Sequence, residues 1–352
     1  MAEQEKYSHI SRRAWVIQET VLGPRLLSFT DRQVIWQCSE TAACEDFPEP
    51  EPIVEYNRSI GDIFWALTDF AGLLKDDRLQ RAEEGIEEVG SIIKSSKRIR
   101  ASEERWFDVL EKYSEAELTY PEKDIFKAIQ GVGNHMARVT GKDYQHGILS
   151  GCLELTLLWK GNHRDDRQNP VLRDSSLAPS WHWASYSMSS SVDFDYTLDL
   201  YDMLRDFNCR FAPLAYVFMS DDCDQLATRK GARDLWPNLM CIGRLARVVI
   251  DRANGWPTVK IVASALEKTI TLDASFDAKH TAKHGVLTCL PLIIQYKRDG
   301  TDYICTLEGL LLRESGKGRY ERVGTVKKTL HDSSPRSWNR IFAQPPKLFI
   351  LN

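Results

Sequence analysis

Residues 11–38 read SRRAWVIQETVLGPRLLSFTDRQVIWQC, and this stretch predicts a short helix followed by a β-hairpin. Apolar residues recur at near-helical spacing until Gly23-Pro24, which ends the element because proline has no N–H with which to continue a helix. Two β-prone runs follow, 26–29 and 34–36, with a turn between them. We therefore expect a helix and a hairpin at the start of the chain.

The composition of the chain is that of a globular protein. Its 352 residues are 43% hydrophobic and 27% charged, which suits roughly two to three compact units. The net charge of −4 gives no overall electrostatic attraction to nucleic acid or to an anionic membrane. Neither is therefore expected as a partner.

The thiol and targeting signals favour a cytoplasmic protein. The eight cysteines are scattered and none forms a CxxC pair, so neither a zinc ribbon nor a redox motif is expected. The N-terminus lacks the apolar run of a signal peptide, and no run approaches the roughly eighteen apolar residues of a membrane-spanning helix. We expect reduced thiols in the cytoplasm.

Changes in composition divide the chain into three predicted regions, and the predicted fold class is α+β. Residues 39–54, SETAACEDFPEPEPIV, are acidic and proline-rich, which is typical of a linker or an extended surface loop and marks the first predicted domain boundary. The N-terminal region is assigned to 1–48, so it includes the first part of this segment. A helical region at 56–175 and a β-rich antiparallel region at 176–345 follow.

The helical region is predicted from apolar stripes at 60–74, 106–113 and 125–136. Pro121 suits the first turn of the third helix, because its missing N–H needs no partner there. Gly131 and Gly133 are expected to weaken the end of that helix.

The β-rich region is predicted from β-branched runs that turn signals separate, and it suggests an antiparallel sheet or a small barrel. The alternation in Trp181-His182-Trp183 also predicts a strand, with both indoles on one face and buried. The β-branched runs are 242–250, 258–263, 268–272, 286–296, 302–313 and 320–327.

The opening stretch resembles the closing motif of the fungal heterokaryon incompatibility domain, which is typically similar to RGWTLQERLLSPRTLHFTKDQLFWEC. Two positions depart from it, since Thr20 stands where the motif usually has Arg and Gly23 where it usually has Ser. The matching motif residues that we single out are Arg13, Trp15, Gln18, Glu19, Pro24, Arg25, Gln33 and Trp36.

Later segments resemble the regions that follow this domain in the same family, in the same order. The family's APSWSWAS is echoed by APSWHWAS with Trp181 and Trp183, where His182 replaces the usual Ser. The other echoes are Leu118–Pro121 (LTYP), Ala128–Gly131 (AIQG), Tyr144, Gly147, Leu157–Trp159 (LLW) and Tyr320, Arg322 and Gly324.

The resemblance implies a role in non-self recognition and regulated cell death in a filamentous fungus, with a protein partner. The family's earlier motifs would precede Ser11, so residues 1–48 are expected to be the C-terminal remnant of an α/β heterokaryon incompatibility domain. The rest would be a non-catalytic regulatory or sensing module. The alternative that the resemblance offers is an effector enzyme similar to Toll/interleukin receptor domains that consumes NAD, with Glu19 contributing.

The residues themselves favour structural roles. Glu19 and Arg25 are expected to pair across the Gly23-Pro24 turn, and Trp15 and Trp36 to be core aromatics. The His280/His284 pair and the basic run 94–100 favour solvated surface over metal or nucleic-acid binding. No phosphate loop, dinucleotide motif or nucleophile elbow is present, so the sequence predicts no cofactor and no metal site.

Overall fold

The computed structural model describes residues 12–30, 33–38, 41–49, 51–52, 101–150, 153–161, 177–186, 192–194, 209–220, 236, 238–251, 258–262, 269–277, 287–299, 302–331, 342 and 344–352. The predicted stripe at 60–74, the basic run 94–100 and the His280/His284 pair lie outside these residues. The chain divides into two compact units, Met1–Glu88 with Arg100–Gly151 and Val89–Ile99 with Cys152–Asn352. No helix in the described ranges is both long and apolar enough to cross a membrane.

The first unit begins with the predicted helix and hairpin. Helix α1 spans Ala14–Leu22 and ends at Gly23, whose N–H donates to the Glu19 carbonyl at 3.0 Å. Strands β1, Arg25–Phe29, and β2, Val34–Cys38, then pair antiparallel. The sequence prediction for this stretch is confirmed.

The predicted linker contributes two further strands, so that prediction is wrong for this segment. Strand β3, Thr41–Cys44, pairs with β2, and β4, Glu51–Pro52, pairs with β3, giving a sheet of order β1-β2-β3-β4. The reason is local burial: Cys44 packs at 5% exposure opposite Ile35, which is 1% exposed. Acidic composition alone did not reveal this pairing.

Three further helices lie in the described part of the first unit: α2, Ala101–Ser114, α3, Pro121–Asp124, and α4, Lys127–Thr140. The helix predicted from Pro121 is therefore divided by a turn, where the Tyr113 hydroxyl donates to the Ile125 carbonyl at 2.6 Å. A two-stranded hairpin of β5, Tyr144–Gln145, and β6, Ile148–Leu149, follows.

The second unit is dominated by a ten-stranded sheet that closes on itself. Six of its strands form a ring: β12 (Ala246–Asp251), β13 (Thr258–Val262), β14 (Thr269–Phe276), β15 (Leu287–Asp299), β16 (Asp302–Gly316) and β17 (Arg319–His331). Their order around the ring is β12-β13-β14-β17-β16-β15, and the ring closes because β12 also pairs with β15 and β17 with β16. The predicted antiparallel sheet or small barrel is thus a closed six-stranded barrel.

Four strands of the same sheet lie outside the ring. Strand β9, Cys209–Pro213, pairs with β15. The other three are β18, Lys347–Leu351, which pairs parallel with β17, then β11, Asn238–Gly243, and β10, Tyr216–Ser220. The predicted run 242–250 is accordingly two strands, β11 and β12. Among the described residues this unit also contains α5 (Leu153–Thr156), β7 (Lys160–Gly161), β8 (Val192–Asp193) and a 3-10 helix (Trp183–Ser185).

The ring strands carry an apolar core that is mostly aliphatic. Its buried residues are Val248, Val259, Ile261, Leu272, Leu287, Cys289, Ile294, Cys305, Leu307, Leu311, Val323, Val326 and Phe342. Five described cysteines, Cys38, Cys44, Cys241, Cys289 and Cys305, carry free thiols. Burial raises the pKa of both Cys241 and Cys289 to about 12, so these two thiols stay protonated at neutral pH.

Candidate functional site

Gln18 joins the motif helix to a distant helix. The Gly131 N–H donates to the Gln18 Oε1 atom at 2.7 Å, and a Cβ at position 131 would lie 2.5 Å from that same oxygen. Gly131 therefore does not weaken the end of α4 as predicted. It lies inside the helix and leaves room for the glutamine, and Gly133 likewise leaves room for the Tyr144 ring.

A second connection lies at the start of the motif. The Ala14 N–H donates to the Glu117 carbonyl at 3.1 Å, and the Glu117 N–H donates to the Arg12 carbonyl at 2.6 Å. Arg13, which lies between Arg12 and Ala14, forms an isolated parallel β-bridge with Glu117. The opening motif and the segment that carries LTYP and AIQG are thus packed as one piece.

Glu19 has none of the surroundings of a catalytic group among the described residues. Glu19 and Arg25 are both exposed, and no ion pair joins them within the part of the chain that the structure describes. The Gly23-Pro24 turn is held by the Gly23 backbone bond to the Glu19 carbonyl, and Pro24 is exposed. The predicted pairing of Glu19 with Arg25 is therefore not the interaction that stabilises the turn.

The remaining motif residues are structural. Gln33 is 6% exposed, and its Oε1 atom accepts the Asp46 N–H at 3.5 Å. Trp15 and Trp36 are half-buried, so they line the surface side of the unit and do not reach the centre of its core.

Replacing Gly131 with alanine is expected to destabilise the first unit by roughly 1–3 kcal/mol, because the new methyl group displaces the Gln18 carboxamide. Denaturant unfolding measures the change. The exposed neighbour Gln130→Ala is the matched control and should stay within about 0.5 kcal/mol of the parent. In a Gln18→Ala background the Gly131→Ala penalty should shrink, and an equal penalty in both backgrounds would contradict the contact.

A buried arginine organises the second unit. Arg322 on β17 is fully buried, and its Nη2 atom lies 3.2 Å from the Asp277 Oδ1 atom, which is also buried. Its guanidinium carbon stands 3.4 Å from the centre of the Trp159 ring, and Nη2 also donates to the Trp159 carbonyl. Burial lowers the pKa of Arg322 well below its usual range, and the carboxylate and the indole face oppose this by stabilising the cation.

The same cluster ties the APSWHWAS segment to the barrel. The Arg322 N–H donates to the Ser180 Oγ atom at 3.0 Å, and the Ser180 hydroxyl donates to the Asn352 carbonyl. The Trp159 indole N–H donates to the Trp181 carbonyl at 3.0 Å. Three segments that carry the family resemblance, LLW, APSWHWAS and the Tyr320–Gly324 run, therefore meet at one place.

Trp181 and Trp183 are buried as predicted, at 2% and 1% exposure, but they do not lie on a strand. The segment is a turn that leads into the 3-10 helix Trp183–Ser185, with His182 as its N-cap. The His182 Nδ1 atom accepts the Ala184 N–H at 3.0 Å. This cap fixes a helical turn, which overrides the alternating pattern that suggested a strand.

The outer strands β10, β11 and β18 expose apolar side chains on one face. Tyr216 pairs with Ile242, which in turn pairs with Leu348, and these side chains are 62%, 39% and 59% exposed. A half-buried second row lies beside them, with Tyr216 and Phe218 in ring contact at 5.5 Å. We call the apolar sheet face the set Tyr216, Phe218, Met240, Ile242, Leu348 and Ile350.

Sequence reasoning missed two features of these sites. Asp277 was not identified, because no local pattern links it to Arg322. The apolar sheet face had a signal, since 239–242 (LMCI) and 348–351 (LFIL) are apolar at every position and not only at alternate ones. A strand that is apolar on both faces is expected to be covered on both.

Within the described residues, no group of three or more His, Cys, Asp or Glu side chains is placed to hold a metal ion. Comparison of the chain with models of known protein families, with curated proteins and with solved structures found no match.

Proposed function

We propose that this chain is a heterokaryon incompatibility family protein that acts in fungal non-self recognition and regulated cell death. In this proposal it works as a non-catalytic sensing or regulatory module that binds a protein partner through the apolar sheet face. The proposal joins the motif resemblance to one physical observation, the exposed apolar surface of the second unit.

The packing of the motif residues supports the proposal. Gln18 contacts Gly131, and Arg322 contacts Trp159 and the APSWHWAS segment. Motifs whose order resembles a family's could match by chance at each position separately. Direct contacts between them give a physical reason for their occurrence together in one chain.

The apolar sheet face carries the partner assignment. Tyr216 and Leu348 are each about 60% exposed although both are large and apolar. Contiguous exposed apolar surface on a protein marks an interaction site more often than isolated apolar residues do, and aromatic side chains are enriched in such sites. A partner with a complementary apolar surface would remove these side chains from water at about 25 cal/mol per Å².

The experiment is complementation in the filamentous fungus that encodes the chain. Deleting the gene is expected to abolish the death of fused cells in at least one incompatible pairing, as scored with a vital dye. The full chain should restore it. Tyr216→Lys/Leu348→Lys should not restore it, because two ammonium groups in the centre of the face would have to be desolvated.

The matched control is Val249→Lys, which changes an apolar residue that is also 59% exposed but lies on β12. It should restore cell death fully. Immunoblots and melting curves verify that all variants accumulate and fold. Unchanged death in every pairing of the deletion strain would overturn the proposed function, and complementation by the double lysine variant would overturn the assigned surface.

The NAD-consuming alternative makes an opposite prediction. We expect the purified chain to leave the NAD concentration unchanged, because Glu19 is exposed and no other motif side chain in the described residues converges on it. Turnover that is measured by chromatography, and that Glu19→Gln abolishes while Glu117→Gln does not, would favour the enzyme instead.

A further inference from the structure

The outer edge of β1 has no neighbouring strand among the described residues of the first unit. Strand β1 is the terminal strand in the order β1-β2-β3-β4, and no other strand in the described ranges pairs with its free side. Leu27 and Phe29 are 54% and 72% exposed, and Arg25 is exposed on the same face. The strand thus presents two large apolar side chains and one cation along its edge.

The hydrogen-bond pattern shows which backbone groups this edge offers. The Thr30 N–H donates to the Gln33 carbonyl at 3.1 Å, so this pair is bonded toward β2. Bonded pairs alternate in an antiparallel ladder. Leu26 and Ser28 therefore bond toward β2, and the N–H and C=O groups of Arg25, Leu27 and Phe29 point away from it.

The other side of the hairpin agrees with this pattern. The Val34 carbonyl, opposite Phe29, accepts the Glu45 N–H at 3.2 Å on the β3 side. Val34 therefore does not use its carbonyl toward Phe29, which leaves the backbone groups of Phe29 directed outward. Strand β1 also lacks the proline, the bulge and the inward-pointing charge that commonly protect such edges.

We propose that two copies of this chain associate by antiparallel pairing of their β1 strands about a two-fold axis at Leu27. Leu27 then faces the partner's Leu27, and Arg25 faces the partner's Phe29. Each facing pair exchanges both of its outward backbone bonds, and the two sheets become one continuous sheet. This inference stands independently of the proposed function.

A second copy is the occupant that the strand itself specifies. Arg25 and Phe29 lie two residues before and after Leu27. A two-fold axis at Leu27 therefore places the Arg25 of each copy opposite the Phe29 of the other. A guanidinium over an aromatic face is attractive, and cross-strand pairs of this kind stabilise a sheet. The chain's net charge of −4 opposes association only weakly at physiological salt.

Light scattering and sedimentation of the full chain over a wide concentration range test the proposal. The parent protein should show a dimer that dissociates on dilution. Leu27→Lys should raise the dissociation constant at least about tenfold, because it places two like charges opposite each other. Leu27→Pro should do the same by removing an outward N–H while sparing the bonds to β2. Val249→Lys is the matched control and should leave the dimer intact.

A mixing experiment separates loss of pairing from loss of folding. Leu27→Lys and Leu27→Glu should each be monomeric alone, and their equimolar mixture should recover the dimer mass, because Lys then faces Glu across the axis. A parent protein that is monomeric at every concentration would overturn the second copy as occupant and leave the edge to a strand of another protein. A dimer that persists in Leu27→Lys, or a mixture that stays monomeric, would overturn the proposed register.

Discussion

Replacing Asp277 with alanine is expected to destabilise the second unit by about 3–5 kcal/mol. The change removes a carboxylate whose Oδ1 atom lies 3.2 Å from the Arg322 guanidinium. Both groups are buried, at 3% and 0% exposure. A buried cation that loses its counter-charge costs far more than the net value of the pair, which is why removing one partner has so large an effect.

Urea unfolding followed by tryptophan fluorescence measures the loss, because the Trp159 ring lies against the arginine and its indole N–H donates to the Trp181 carbonyl. Asp273→Ala is the matched control, since Asp273 lies on β14, which ends one residue before Asp277, but its side chain is exposed. It should change the free energy of unfolding by no more than about 0.5 kcal/mol.

The double change Asp277→Leu/Arg322→Met refines the interpretation. Apolar residues of similar volume can replace a buried ion pair at little or no cost, so the double variant should be more stable than Asp277→Ala alone. If Asp277→Ala unfolds like the parent, the ion pair does not hold this cluster together. If the double variant is the less stable of the two, the contacts of the Arg322 guanidinium with the Trp159 carbonyl and ring contribute more to stability than its pairing with Asp277 does.

The elements that could be predicted from the sequence are those whose causes lie within a few residues of the chain. The helix and hairpin at 14–38 follow from apolar spacing and the Gly23-Pro24 break, all within a few residues. Strands β3 and β4 were missed because their pairing depends on packing against Ile35, which acidic and proline-rich composition conceals. The closure of the barrel depends on β12 meeting β15, a contact between distant segments that periodicity cannot report.

The APSWHWAS segment shows the same limit at the site. Alternation of Trp181 and Trp183 fits a strand, but a single capping bond from His182 makes the chain turn. His182 stands where the resembled motif usually has Ser, and Ser is among the residue types preferred at N-caps. The capping role of His182 in this chain could be recognised only once the hydrogen bond was located.

The glycines of the barrel show a further limit, because they become informative only through their neighbours. Gly324 and Gly309 are isolated glycines inside strand patterns, which signals a bulge or a close backbone approach without saying to what. In the structure a Cβ at 324 would overlap the Ser275 carbonyl oxygen, and one at 309 would overlap the Leu290 carbonyl oxygen. Both are backbone atoms of neighbouring strands in the ring.

Gly324→Ala is expected to destabilise the second unit by about 3 kcal/mol, at the upper end of overpacking effects, because a neighbouring backbone cannot rotate aside as a side chain can. The methyl group forces β17 away from β14 where Phe276 pairs with Gly324, next to the bulge that includes Val323. Gly316→Ala is the matched control, since its Cβ would meet only the Arg319 side chain at 4.0 Å. Equal urea midpoints for the two variants would show that β14 and β17 tolerate separation and that barrel closure does not depend on this close approach.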